Sequence, residues 1–260
     1  MERRDSAGLV TLFAPEEPVA GESMTLGEGT AHHARVRRLQ KGTPVRLLDG
    51  AGHSAAGSIT RIARRMLAVN VQTVSMVEPP PPVHLIVPVA DRDRMLWLAE
   101  KSVELGATSW RPVAWQRSRS VSPRGEGPNF RFRMRARMIA ALEQSGSTWL
   151  PAVYPESRPE NAIAAAPEGV RVLLDAGGDP VLAAALSSVI SPPITLAIGP
   201  EGGLEAEERA LFTAAGFVPA RLADGVLRFE TAAIAALALA RAVLDTGRNG
   251  SWETIASSAG

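Results

Sequence analysis

Ile194-Thr-Leu-Ala-Ile198-Gly-Pro-Glu-Gly-Gly203 is the stretch that decides the fold. Five apolar or β-branched residues in a row read as a buried strand. A sharp turn with a carboxylate, Glu201, follows. Glu205, Glu207 and Glu208 then open a helix, where acids suit the positive end of the helix dipole. Leu227-Arg-Phe-Glu-Thr-Ala232 echoes the pattern: a turn carrying Arg228 and Glu230, with Thr231 expected to cap an Ala/Leu-rich helix. Loops of this kind, at strand ends before helices, are where α/β sheets bind small molecules.

Working outward, the same strand–helix alternation runs from Val83 to Gly247. Val83–Val89, Ser109–Trp115, Val170–Leu174, Ile194–Ile198 and Phe217–Leu222 read as strands. Asp91–Leu105, Asn129–Ser145, Pro180–Val189, Leu204–Ala215 and Thr231–Asp245 read as helices, several closed by glycine. The pattern predicts a mostly parallel sheet covered on both faces. Residues 1–78 differ. Short alternating runs at 54–64 and 66–74, with a turn at Asp49-Gly-Ala-Gly52, predict a small β domain. Pro79–Pro82 forms a stiff spacer between the two. The boundaries are thus 1–78, 79–82 and 83–248, with a polar tail at 249–260.

Composition bounds the chemistry. The chain has 260 residues, 45% apolar and 21% charged, as expected of a globular protein. It has no cysteine, which excludes disulfides, thiolate zinc sites and a thiol nucleophile. Four histidines lack metal-binding spacing, so no metal is expected. No long apolar run marks a leader or a membrane span, and a cytoplasmic location is expected.

Net charge is only +1, yet residues 83–140 hold eleven basic and five acidic side chains. Arg117, Arg119, Arg124, Arg131, Arg133, Arg135 and Arg137 face one acid, Glu126. That cluster points to polyanion binding. His32, His33, Arg35, Arg37 and Arg38 form a second basic group, readable as a solvated helix face or a phosphate-tracking patch. Lys101 reads equally as a helix partner for Glu104.

Spacing leaves the glycine turns open between a plain tight turn and a ligand loop. Gly199, Gly202 and Gly203 fit neither the phosphate loop nor GxGxxG. Glycine- or charge-bearing loops at 175–178, 199–203 and 223–228 favour a ligand. Glu201 and Glu230 are the candidate carboxylates, and Arg228 with Glu230 also reads as a structural ion pair.

Taken together, Ile198–Gly203, Val226–Ala232, Lys101-Ser-Val-Glu-Leu-Gly106, Glu143-Gln-Ser-Gly146, His33–Leu39 and Leu47–Gly50 resemble the ribosomal small-subunit RNA methyltransferase E family. The similarity runs in order over nearly the whole chain. It implies a PUA-like β-barrel followed by a SPOUT-type α/β domain with a trefoil knot, a homodimer, and methyl transfer from S-adenosyl-L-methionine to N3 of a uridine in 16S rRNA. It also implies roles for individual residues. Leu174, Asp175, Gly177, Ile198, Gly199, Pro200, Glu201, Gly202, Gly203, Leu222, Ala223, Gly225, Val226, Leu227, Arg228 and Thr231 would hold the donor, and Arg228 and Glu230 would act in catalysis. Arg35, Arg37, Arg38, Lys101, Arg117, Arg119, Arg131, Glu143 and Gln144 would meet the RNA. Ser147, where an arginine is usual, and the shifted glycine in Leu222-Ala-Asp-Gly225 depart from the family pattern. Another RNA target, or a non-catalytic RNA-binding role in ribosome assembly, are the alternatives.

Overall fold

The computed structural model describes residues 9–118, 123–179, 181–186 and 192–249. The chain divides into two units. One takes the chain up to Pro79 plus Met138–Leu150; the other takes Pro80–Arg137 and the chain from Pro151 onward.

The first unit is a five-stranded sheet in the order β1-β3-β4-β5-β2, with β1 Val10–Phe13, β2 Ser23–Leu26, β3 Pro44–Leu48, β4 His53–Ile62 and β5 Leu67–Met76. All pairings are antiparallel except β1 with β3. Alternation drives it: Ala55, Gly57 and Ile59 of β4 point inward while their neighbours are more exposed. Gly57 sits at a register shift, where a Cβ would lie 2.5 Å from the Asn70 carbonyl. Helix α1, Glu28–Val36, lays Ala31 and Ala34 on a core of Leu12, Leu26, Leu47, Leu67 and Val69. The turn expected at Asp49–Gly52 forms. Asp49 Oδ1 accepts from the Ala51 and His53 N–H groups at 2.8 and 3.0 Å. The short strands β1 and β2 were not expected from the sequence.

The second unit holds a six-stranded, all-parallel sheet in the order β11-β9-β10-β6-β7-β8. Its strands are β6 Val83–Pro88, β7 Ser109–Val113, β8 Ala152–Val153, β9 Val170–Leu174, β10 Ile194–Ile198 and β11 Val218–Ala220. All five residues of β10 are buried, as the apolar run requires of a central strand. Helix α2, Arg92–Glu104, is capped by Asp91, which accepts from the Asp93 and Arg94 N–H groups at 3.1 and 3.0 Å. Helix α3, Gly127–Ser145, belongs with this unit through Arg137 and with the first unit from Met138.

The remaining helices are α4 Pro159–Ala164, α5 Leu182–Leu186, α6 Ala206–Ala214 and α7 Phe229–Asn249. Helix α7 packs on α2, β6 and β10. The opposite face carries α4 and α6 over a core of Ile86, Val113, Leu173, Ala197 and Phe212. One sequence expectation needs correcting here. Thr231 does not cap α7, because the helix already begins at Phe229 and Thr231 stands exposed within its first turn. Strand β8 and helix α4 are too short to carry a readable period. The expected helix at 180–189 is seen only over Leu182–Leu186; residues 180, 187–189 and the tail from 250 lie outside the described residues.

Candidate functional site

The carboxyl ends of β9, β10 and β11 open into a cavity of about 280 Å³. Three loops build it: Leu174–Ala176, Ile198–Leu204 and Ala220–Leu227, closed by Phe229 and Ala232 of α7. The first loop is tied to the third, since the Asp175 N–H donates to the Ala220 carbonyl at 3.0 Å. Gly178 lies so close that a Cβ would meet three Ala220 backbone atoms at 2.7–2.9 Å. In the second loop, the Gly203 N–H donates to Pro200 O at 2.9 Å and Gly203 has φ of 77°. The tight turn is formed, and the same residues line the cavity. Gly202 backs onto Arg117, whose carbonyl oxygen would stand 2.8 Å from a Cβ.

Among the described residues, the charged side chains lining this cavity are Asp175 and Glu201, both acids. Each is paired from outside. Arg209 Nε lies 2.5 Å from Asp175 Oδ2, and Arg94 Nη1 lies 2.5 Å from Glu201 Oε1.

Two further openings adjoin it. One, of about 180 Å³, shares Pro200, Glu201 and Phe229 and extends to Asp91, Arg94 and Ser118. The other, of about 300 Å³, is bounded by Arg94, Glu201, Val226, Leu227 and Arg228. Beside them stands Glu230, only 6% exposed. Its Oε1 is 3.9 Å from Arg94 Nε, and its Oε2 has no hydrogen-bond partner. A buried oxygen left in this state costs about 1–3 kcal/mol or more. Arg228 is exposed and makes no ion pair with Glu230, so the structural pairing of those two is not formed.

Most residues expected to hold a small ligand line the cavity: Leu174, Asp175, Ile198 through Gly203, Leu222, Ala223, and Gly225 through Leu227. Gly177 and Thr231 do not, and Arg228 stands at the neighbouring opening. Arg94 was not singled out by sequence. Its signal was position, two residues into a capped helix that starts at the carboxyl end of a central strand.

The expected RNA contacts divide. Arg37, Arg38 and Arg131 are exposed, as is Arg35, which donates to Arg64 O at 3.2 Å. Lys101 is instead engaged by Glu104 at 2.7 Å and Glu100 at 3.0 Å. Arg117 forms a two-pronged pair with Glu205 at 2.6 and 3.0 Å. Glu143 is turned to a structural task, accepting from the Phe13 N–H at 2.8 Å, and burial raises its pKa. Gln144 is exposed, and Arg119 lies outside the described residues.

A parallel α/β domain whose strand-end loops enclose a cavity beside a buried carboxylate defines a small-molecule-binding α/β protein. Residues 77–241 match the family model of the RNA methyltransferase domain. The chain is 32% identical over 256 residues to the ribosomal RNA small subunit methyltransferase E of Synechocystis sp., covering 95% of this chain and 82% of that one. It is 32% identical over 226 residues to the protein of that name from Mycobacterium tuberculosis, covering 81% and 82%. A crystal structure of the corresponding Neisseria gonorrhoeae enzyme bound to S-adenosyl methionine superposes with a TM-score of 0.81 at 26% identity, covering 90% of this chain and 98% of that one. The chain belongs to the ribosomal RNA small subunit methyltransferase E family.

Proposed function

We propose that this protein methylates N3 of a uridine in 16S rRNA, using S-adenosyl-L-methionine. The observation that carries the reading is the strand-end cavity itself: among the described residues its lining is apolar side chain and loop backbone, with Asp175 and Glu201 each paired to an arginine. Such a lining offers apolar walls and backbone hydrogen-bonding groups to a small organic donor. The donor thus fits the residues present: Leu174, Ile198, Leu222 and Leu227 offer apolar walls, and the turns at Gly199–Gly203 and Ala223–Gly225 offer backbone groups.

When bound, the donor supplies an electrophilic methyl group. The chain's own task is mostly positioning. Uridine N3 carries a proton and attacks only once that proton leaves. Glu230 is the proton acceptor in this reading, because its Oε2 is buried and unpartnered. Glu201 is the poorer choice, being held by Arg94 at 2.5 Å. Arg228, exposed at the adjoining opening, stabilises negative charge developing on a uracil carbonyl. Exposed arginines just after α1 and in α3, including Arg37, Arg38 and Arg131, supply phosphate contacts. The substrate is the rRNA itself or the small ribosomal subunit, and the enzyme works in the cytoplasm as a homodimer. Val226, 76% exposed at the cavity rim, supports a covering partner there.

Transfer of labelled methyl from the donor to undermethylated small subunits, with tRNA as control, tests the proposal. Label in small-subunit RNA is expected. Label only in tRNA refutes the substrate; tight RNA binding with no label anywhere refutes the enzymatic reading.

A further inference from the structure

The opposite edge of the parallel sheet carries a row that methyl transfer does not use. Arg171, Thr195, His84 and Ser109 are in register across β9, β10, β6 and β7. Side chains in register on parallel strands share a face. Two residues further along that face, the row reads Leu173, Ala197, Ile86 and Arg111. The sheet thus changes from core to polar at its amino-terminal edge. Arg171 is satisfied by the carbonyls of Ala166, Pro167 and Ala215, and His84 pairs with Ser109, which leaves Thr195 as the buried group of the row without a partner, a costly state.

A cavity of about 190 Å³ lies over the row, walled by Tyr154 and by Ala162, Ala166 and Pro167 around the end of α4. Thr195 is 1% exposed, and its Oγ1 has no hydrogen-bond partner. His84 Nδ1 lies 2.7 Å from Ser109 Oγ; with the proton on Nδ1, the Ser109 hydroxyl hydrogen is free for a ligand. The Arg111 guanidinium lies 4.0 Å over the Tyr154 ring and forms no ion pair among the described residues. Stacking fixes its plane and leaves its edge donors available. Among the described residues, no carboxylate lines the cavity. Burial first, and then the nearby guanidinium groups of Arg111 and Arg241, hold His84 below its usual range.

We propose that this cavity binds a phosphate group, held by the Arg111 guanidinium and the hydroxyls of Thr195 and Ser109. The site is separate from the methyl-donor cavity and does not depend on the methyltransferase reading. A free phosphate compound and an RNA backbone phosphate share this chemistry.

Tyr154 is the only tyrosine in the chain, so 3-fluorotyrosine labelling of the full-length protein places one fluorine resonance in the cavity wall. The labelled protein is titrated with inorganic phosphate at ionic strength held constant with chloride, and with a short single-stranded oligoribonucleotide. A saturable shift with phosphate, absent with chloride, is expected. Arg111→Gln and Thr195→Val should each weaken it, the former by about tenfold or more, as loss of a charge-assisted hydrogen bond implies. Thr195→Val keeps shape and removes only an unpartnered hydroxyl, so it reports on the site even if Arg111→Gln perturbs the fold. An oligonucleotide shift that inorganic phosphate competes away identifies the RNA backbone as the source; a shift with inorganic phosphate alone identifies a small phosphate compound. Absence of a saturable shift with either probe, or one unchanged in both variants, overturns the proposal.

Discussion

Replacing Arg241 by methionine should loosen the second unit and disturb the site at the far end of the same helix. Arg241 sits midway along α7. Its Nε donates to Leu105 O at 3.1 Å, and its two amino groups donate to the carbonyls of Pro81 and Gly106. One side chain thereby joins α7, the end of α2 and the segment leading into β6. Burial lowers its pKa to about 10, so it remains charged at neutral pH. A hydrogen bond to a charged group is worth about 1.5–3 kcal/mol net. The three together contribute less than their sum, because water reaches the half-buried carbonyls and methionine restores part of the packing. A net loss of about 3 kcal/mol is expected. For a unit of this size each kcal/mol shifts the midpoint by roughly 2–4 °C, giving a fall of about 6–12 °C. Arg241 is eleven residues from Glu230, close to three turns, so both lie on one face of α7. Methylation measured well below the midpoint should therefore fall as well. Calorimetry reads the first effect and single-turnover methyl transfer the second. A midpoint within about 2 °C of the parent would refute the clamp.

Three other outcomes follow from the same geometry. Glu230→Gln should slow single-turnover methylation by about 10²–10⁴-fold, the usual contribution of a general base, with donor affinity unchanged; a normal rate removes Glu230 from that role. Gly178→Ala places a methyl against the Ala220 backbone, which cannot turn aside, so a loss of about 1–3 kcal/mol and weaker donor binding are expected in unfolding and calorimetric titrations; unchanged stability would show that the loop pair has slack. For Glu143, burial raises the folded-state pKa above 4.5, against the opposing pull of the Phe13 N–H, His33 and Arg37. Its contribution is thus fully present below 4.5 and lost as pH rises through the folded value. Glu143→Gln keeps the acceptor oxygen without the charge. It should be as stable as the parent or more so at pH 7, with the gap closing below pH 4.5, which denaturant midpoints across pH will check.

What the residues disclosed on their own depended on length and period. Ile194–Ile198 and Val170–Leu174 are strands with the bounds read from the sequence; the first is buried throughout, as its run of apolar and β-branched residues requires, and the second is buried over Val172–Leu174. The span of α2, read as Asp91–Leu105 and closed by Gly106, was equally legible from local chemistry. β1, β2 and β8 were not, because two to four residues are too few to show alternation. The site divided in the same way. Glycine turns at strand ends announced a cavity. The meeting of Arg94 with Glu201 and Glu230, residues more than a hundred positions apart, depends on β6 and β10 being neighbours, and no local pattern encodes that. Glu143 shows the same limit: its motif gave no sign of the Phe13 N–H, 130 residues away, that its carboxylate accepts from. Thr231 looked like a cap because Thr so often is one, yet tertiary packing carried α7 back to Phe229.

The most direct test is the chemical identity of the product. After transfer of labelled methyl to small-subunit RNA, enzymatic digestion and chromatography of the nucleosides should place the label in 3-methyluridine, and Glu230→Gln should sharply reduce that peak. Label in a ribose-methylated or carbon-methylated nucleoside would contradict the account.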